Sequence, residues 1–210
     1  MPLDLDALLD PRTCALVTQE IQRGVVGDLS GLPALAEHAQ KGMIPKVAEL
    51  VRAAREAGAA VIHCTAERRR DGRGASTNAR LFQHMSHVPN PLFTGSEAAD
   101  FVPELPVEES DIVIPRFHGV SPFQGTELDS ILRNLGIRSI VATGVSVNVA
   151  IQNLTFDAVN AAYQVVIPRD AVAGTPPDYV DAVFEHTLGL ISTVVDTATV
   201  LDSWRRRAAG

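Results

Sequence analysis

Ser139-Ile-Val-Ala-Thr-Gly-Val-Ser-Val-Asn-Val-Ala150 decides the fold class. Residues 139–143 form a short apolar run of the kind found in sheets covered on both faces. Gly144 then turns the chain, and a helical pattern runs from about Ser146 to Ala162. A strand feeding straight into a helix is half of a β–α–β unit, and such units build parallel sheets with crossover helices.

The alternation extends in both directions. Upstream, 14–21 reads as a first strand and 44–57 as a helix with one apolar face, capped by Gly58. Residues 59–65 form a second strand and 111–114 a third, which Pro115 either ends or sends to the sheet edge. Thr126 caps a helix with the stripe Leu128, Ile131, Leu132 and Leu135, and Gly136 stops it. Downstream, 164–167 is a fifth strand ended by Pro168, and Pro176 and Pro177 open a helix to about Leu190. A sixth strand falls at 193–195, and a short helix with a basic end at 202–207. The expectation is an α/β fold: a three-layer, Rossmann-like sandwich with a central, mostly parallel six-stranded sheet, in one domain spanning 1–210.

Composition narrows the function. The chain has 210 residues, 46% hydrophobic and 20% charged, enough to bury a full core without staples. Its 18 basic and 25 acidic residues give a formal net charge of -7, which argues against nucleic acid as a partner. Two cysteines, Cys14 and Cys64, cannot build a disulfide framework, and no run approaches the ~20 apolar residues of a membrane span. The acidic stretch 1–10 has no basic n-region, so it does not read as a signal peptide, and a cytoplasmic protein is expected.

In an open parallel sheet, ligands gather outside the carboxyl ends of the strands. That rule selects Glu20 and Gln22 after the first strand, His63 and Cys64 in the second, Arg116 and His118 after the third, and 144–150 after the fourth. A carboxyl ending an apolar strand suits acid–base work. Arg116 suits pairing with Glu20 or a two-pronged grip on an anion. The helix start at 146–150 presents free N–H groups and positive potential to an anion or oxyanion. Cys64, inside a strand, reads as a packing thiol, and Cys14 more so. The arginine run from Arg68 to Arg73 reads as a solvated loop, with anion binding as the alternative. His84 and His87 stand at helical spacing but lack further ligands, so no metal and no cofactor is expected. The irregular segment 67–110 is long enough to carry function or a partner surface.

Three segments resemble the isochorismatase-like family, the cysteine-hydrolase superfamily that includes nicotinamidases and N-carbamoylsarcosine amidases. Ala15-Leu-Val-Thr-Gln-Glu-Ile-Gln22 is similar to that family's first strand, which ends in an aspartate. Arg116-Phe-His-Gly-Val-Ser-Pro-Phe-Gln-Gly-Thr-Glu-Leu-Asp129 resembles its lysine segment. Gly144-Val-Ser-Val-Asn-Val-Ala-Ile151, with Asp157-Ala158 after it, resembles its nucleophile loop and helix, and Asp170-Ala171 after the fifth strand also fits. The resemblance covers about 13–200.

It also implies what is missing. Family members usually carry an aspartate, a lysine and a cysteine. Here Glu20 falls on the aspartate, Arg116 on or within one residue of the lysine, and Ala150 on the nucleophile. The zinc-binding Asp-x-His pattern of nicotinamidases is absent. A methyl group cannot attack a carbonyl, and loss of a nucleophile costs a serine protease on the order of a millionfold in turnover. Isochorismatases themselves lack the cysteine, so the resemblance implies a hydrolase working without a thiol on a small, anionic metabolite, or else a silent relative that binds a small molecule or protein. Glu20 would be the acid or base and Arg116 the anion anchor. Gln22, His118, Phe123, Val145, Ser146 and Asn148 would line the pocket. Homo-oligomers are common in the family, and one is expected here.

Overall fold

A computed structural model describes residues 4–208; residues 1–3 of the acidic N-terminal stretch and 209–210 lie outside it. The chain begins with a short helix α1 (Leu5–Leu8) and strand β1 (Cys14–Gln19), followed by helices α2 (Pro33–His38) and α3 (Ile44–Ala57). Strand β2 (Ala60–Ala66), helix α4 (Arg80–Met85) and strand β3 (Ile112–Arg116) come next, then α5 (Leu128–Asn134) and β4 (Ser139–Val145). The remainder is α6 (Gln152–Asn160), β5 (Gln164–Pro168), β6 (Val172–Ala173), α7 (Pro177–Val183), α8 (Gly189–Ile191), β7 (Thr193–Val195) and α9 (Thr197–Ala208).

The strands lie in the order β3-β2-β1-β4-β5-β7, every pair parallel, with β6 added beside β4. The order reverses between β1 and β4, the topological switch point of a doubly wound sheet. Alternation within strands divides the core. Leu16, Val61 and Val141 face one layer with α3 and α9, while Val17, Ile62 and Ile140 face the other with α5 and α6. Each layer buries apolar side chains at about 25 cal/mol per Å², the principal source of stability.

Several local readings meet their physical causes. Gly58 is left-handed at φ 76° and closes α3, and the Thr126 hydroxyl accepts the Leu128 N–H at 3.2 Å. β3 is the sheet edge, so Pro115 sits inside a strand that needs no second ladder. Three boundaries differ. β6 makes a seventh strand, too short at two residues to show a period. β1 stops at Gln19, because Glu20 leaves the extended region. α9 starts at Thr197, not 202, since the Asp170 carboxylate accepts both its N–H (2.7 Å) and its hydroxyl (2.8 Å). That cap comes from a residue distant in sequence.

Segment 67–110 divides in two. Its later part packs into the core through Leu92, Ala98, Val102 and Leu105. Its earlier part carries α4, which has no buried residue and overhangs the carboxyl end of the sheet. No described helix is long and apolar enough to cross a membrane.

Candidate functional site

At the end of β1, Glu20 adopts φ 56°, a left-handed conformation that non-glycine residues rarely take, and donates its N–H to the Cys64 carbonyl at 2.9 Å. The turn lifts its side chain out of the sheet layer. The carboxylate accepts from the Gln19 side-chain amide at 2.8 Å and from Arg116 Nη2. Both partners of this ion pair are largely buried, Arg116 at 7% and Glu20 at 16% side-chain exposure. Arg116 reaches across the end of β2 from the edge strand. Its Nη1 donates to the carbonyls of Gly119 and His118, and its Nε is buried with no partner. The guanidinium is therefore spent on Glu20 and the 118–119 turn, the first of its two expected roles.

The third component comes from β4. Gly144, at φ 102°, lies so close to Gln19 of β1 that a Cβ would run into the Gln19 backbone. The Val145–Ser146 peptide is cis. Residues Val147–Ile151 then form a wide first turn that continues into α6. The Ser146 carbonyl accepts the N–H groups of Val149 (3.1 Å) and Ile151 (2.9 Å). Other N–H groups of this first turn have no acceptor within the helix, as at any helix start. Asn148 accepts the Thr175 N–H at 3.4 Å.

A cavity of about 550 Å³ joins these parts, within the usual size of small-molecule sites. Glu20, Arg116, His118, Ser146, Asn148 and Ala150 all line it. Three expected lining residues do not. Gln22 is fully buried, and its side chain bonds the backbone of Ala66 and Ala99, tying the segment after β1 to β2. Phe123 packs against Tyr163 behind the sheet layer, and Val145 points into the core. Val145 is turned from the mouth by the alternation of β4, whereas Gln22 and Phe123 lie in loops whose packing a sequence motif does not reveal.

The remaining candidates sort by burial. His63 lies wholly inside, bonded to Thr18 Oγ1 at 2.7 Å and Asp111 at 3.3 Å, and desolvation holds its pKa below the usual 6.5. Cys64 and Cys14 are buried, free thiols, each pushed up to about 12 by burial. Neither is a nucleophile at neutral pH. The motif residues Ser121 and Asp157 bond each other, and Asp170 caps α9, so they hold the scaffold. Among the described residues, no three His, Cys, Asp or Glu side chains gather as a metal-binding group.

Sequence reasoning missed the outer walls. Leu32 and Leu35 on one side and Phe82, Met85 and Leu92 on the other make the cavity mostly apolar, and Arg68 adds a guanidinium. The available signals were the length of segment 67–110 and its arginine run; nothing in them said which residues would face inward.

A doubly wound parallel sheet with a polar-floored cavity at its switch point defines a small-metabolite α/β protein. The sequence profile of the isochorismatase domain matches residues 14–199, and the chain belongs to the isochorismatase family. It is 28% identical to the ureidoacrylate amidohydrolase RutB of Agrobacterium fabrum over 213 residues, covering 92% of each chain. It is 33% identical over 142 residues to a probable inactive nicotinamidase of Arabidopsis thaliana, covering 66% of this chain and 70% of that one. The fold matches a cysteine hydrolase from Pseudomonas syringae pv. phaseolicola 1448A with TM-score 0.82 at 21% identity, over 94% of both chains.

Proposed function

We propose that this protein hydrolyses a small, anionic metabolite without a covalent thiol intermediate. The observation that carries the proposal is the cavity floor: a carboxylate, Glu20, held by Arg116, in the same cavity as the methyl of Ala150. The guanidinium and the amide fix the orientation of the Glu20 carboxylate at the cavity floor. Water bound near Ala150 adds to the acyl carbon while Glu20 takes its proton. The same proton then passes to the leaving nitrogen or oxygen as its bond to carbon breaks. N–H groups of the 146–150 turn suit the developing oxyanion. Arg116 is a positioning residue here, fixing Glu20.

Family membership supports hydrolysis, and the amidohydrolase relatives suggest amide or ureido compounds. A second reading, a binding module without turnover, is favoured by Ala150 together with the probable inactive nicotinamidase among the relatives. A homo-oligomer is part of the proposal. Its support is the exposed apolar side chains Phe156, Val159 and Leu190 on the adjacent helices α6 and α8.

The test is a turnover panel of ureidoacrylate, nicotinamide, small amides and isochorismate-type vinyl ethers. The expected result is hydrolysis of at least one member, with no acyl-enzyme detectable by mass and a loss of about 100-fold or more in kcat for Glu20→Gln. Equal rates for variant and wild type would remove Glu20 from the mechanism. Tight binding with no turnover across the panel would establish the second reading.

A further inference from the structure

We infer that Arg68 is the anion anchor of the cavity, and that the ligand is a small carboxylate with an apolar body. The inference rests on the cavity being the ligand site, and it moves the anion grip away from Arg116. Two guanidiniums line the cavity. Arg116 is neutralised by Glu20, whereas Arg68 has no carboxylate partner among the described residues.

Arg68 is also held in place. Its backbone bridges Phe93 through bonds to Leu92 and Thr94, at 2.8 and 3.0 Å. Its guanidinium lies over the Phe93 ring at 5.7 Å from the centroid, and its Nε is buried without a hydrogen-bond partner. A ring under the guanidinium fixes its plane at low entropic cost and leaves its edge for a two-pronged bond. Arg70 lies over the same ring at 5.5 Å and also has no carboxylate partner among the described residues. Arg70 does not line the cavity, and its charge adds positive potential beside Arg68. Arg69, in contrast, is closed off by Asp71 at 2.7 Å. Glu67, the other unpaired charge on the wall among the described residues, accepts the Thr65 hydroxyl at 3.3 Å.

The rest of the cavity sets the remainder of the ligand. Leu32, Leu35, Phe82 and Met85 offer only apolar contact. A ligand with its carboxylate on Arg68 therefore places a hydrocarbon or aromatic body against these walls and its reactive carbonyl toward Glu20.

The test is calorimetric titration of the protein with 3-phenylpropionate and, separately, with the uncharged 3-phenylpropionamide at low salt. The acid is expected to bind at least about tenfold tighter, as a charge-assisted two-pronged bond requires. Arg68→Met should abolish that preference, Arg68→Lys should keep part of it, and Arg73→Met should leave it intact. Equal affinity for acid and amide, no binding of either at millimolar concentration, or a preference that survives Arg68→Met would overturn the inference. The comparison of the two ligands on the unaltered protein stands even if a variant fails to fold. Binding is read without turnover, so failure of hydrolysis leaves this result untouched. Hydrolysis of neutral substrates with no preference for acids would end the role of Arg68 alone.

Discussion

Replacing Arg116 with Met tests whether the cavity floor is an energetically coupled unit. Met keeps much of the arginine stem and deletes the charge, leaving Glu20 with only the Gln19 amide at 2.8 Å. It also strips a donor from the carbonyls of His118 and Gly119. Removing one partner of a buried ion pair costs about 3–5 kcal/mol. The lower end applies, because Glu20 retains 16% side-chain exposure and one hydrogen bond. At ~2.1 cal/mol/K of unfolding entropy per residue, a loss of about 3 kcal/mol lowers Tm by about 7 °C for a chain of 210 residues. The decisive assay is a double-mutant cycle in urea with Glu20→Gln, each variant also scanned by calorimetry. The double variant should be no less stable than Arg116→Met alone, with a coupling of about 2 kcal/mol. A Tm change under about 2 °C, with the two substitutions simply adding, would refute the coupling and with it the assignment of Arg116 as the group that fixes Glu20.

Gly144→Ala should cost more than about 4 kcal/mol, because φ 102° and the Gln19 backbone both oppose a Cβ; recovery of soluble protein and its urea midpoint check this. Trp204→Ala should cost about 3–5 kcal/mol, since the ring is fully buried and its N–H donates to Leu9 at 3.1 Å; chemical denaturation reads it. Native protein should not react with iodoacetamide at pH 7.5, as both thiols are buried and pushed up to about 12, whereas Ala150→Cys should gain one labelled site by mass. Because burial lowers the pKa of His63, the unfolded chain takes up that proton first. Stability is therefore present at neutral pH and is lost as pH falls below about 6.5 through the lower folded value, at up to about 1.4 kcal/mol per pH unit. Urea midpoints between pH 8 and pH 5 should show this slope, and His63→Gln should flatten it.

The sequence by itself determined the layers. Apolar runs, glycine caps and the strand–helix alternation report on short-range physics, and each strand from Cys14 to Val195 except the two-residue β6 could be placed from them. It also determined that no thiol stands at position 150. Only the tertiary structure decided which side chains meet. Glu20 and Arg116 touch because Arg116, at the end of β3, reaches across the end of the intervening β2 to the residue after β1, and Gln22 is lost to the backbone because the chain turns left-handed at Glu20, inside the apolar run that reads as strand. Arg68 faces the cavity and Arg69 does not, a difference set by a bridge to Phe93. Such choices depend on contacts between residues remote in the chain, and a local pattern carries no information about them.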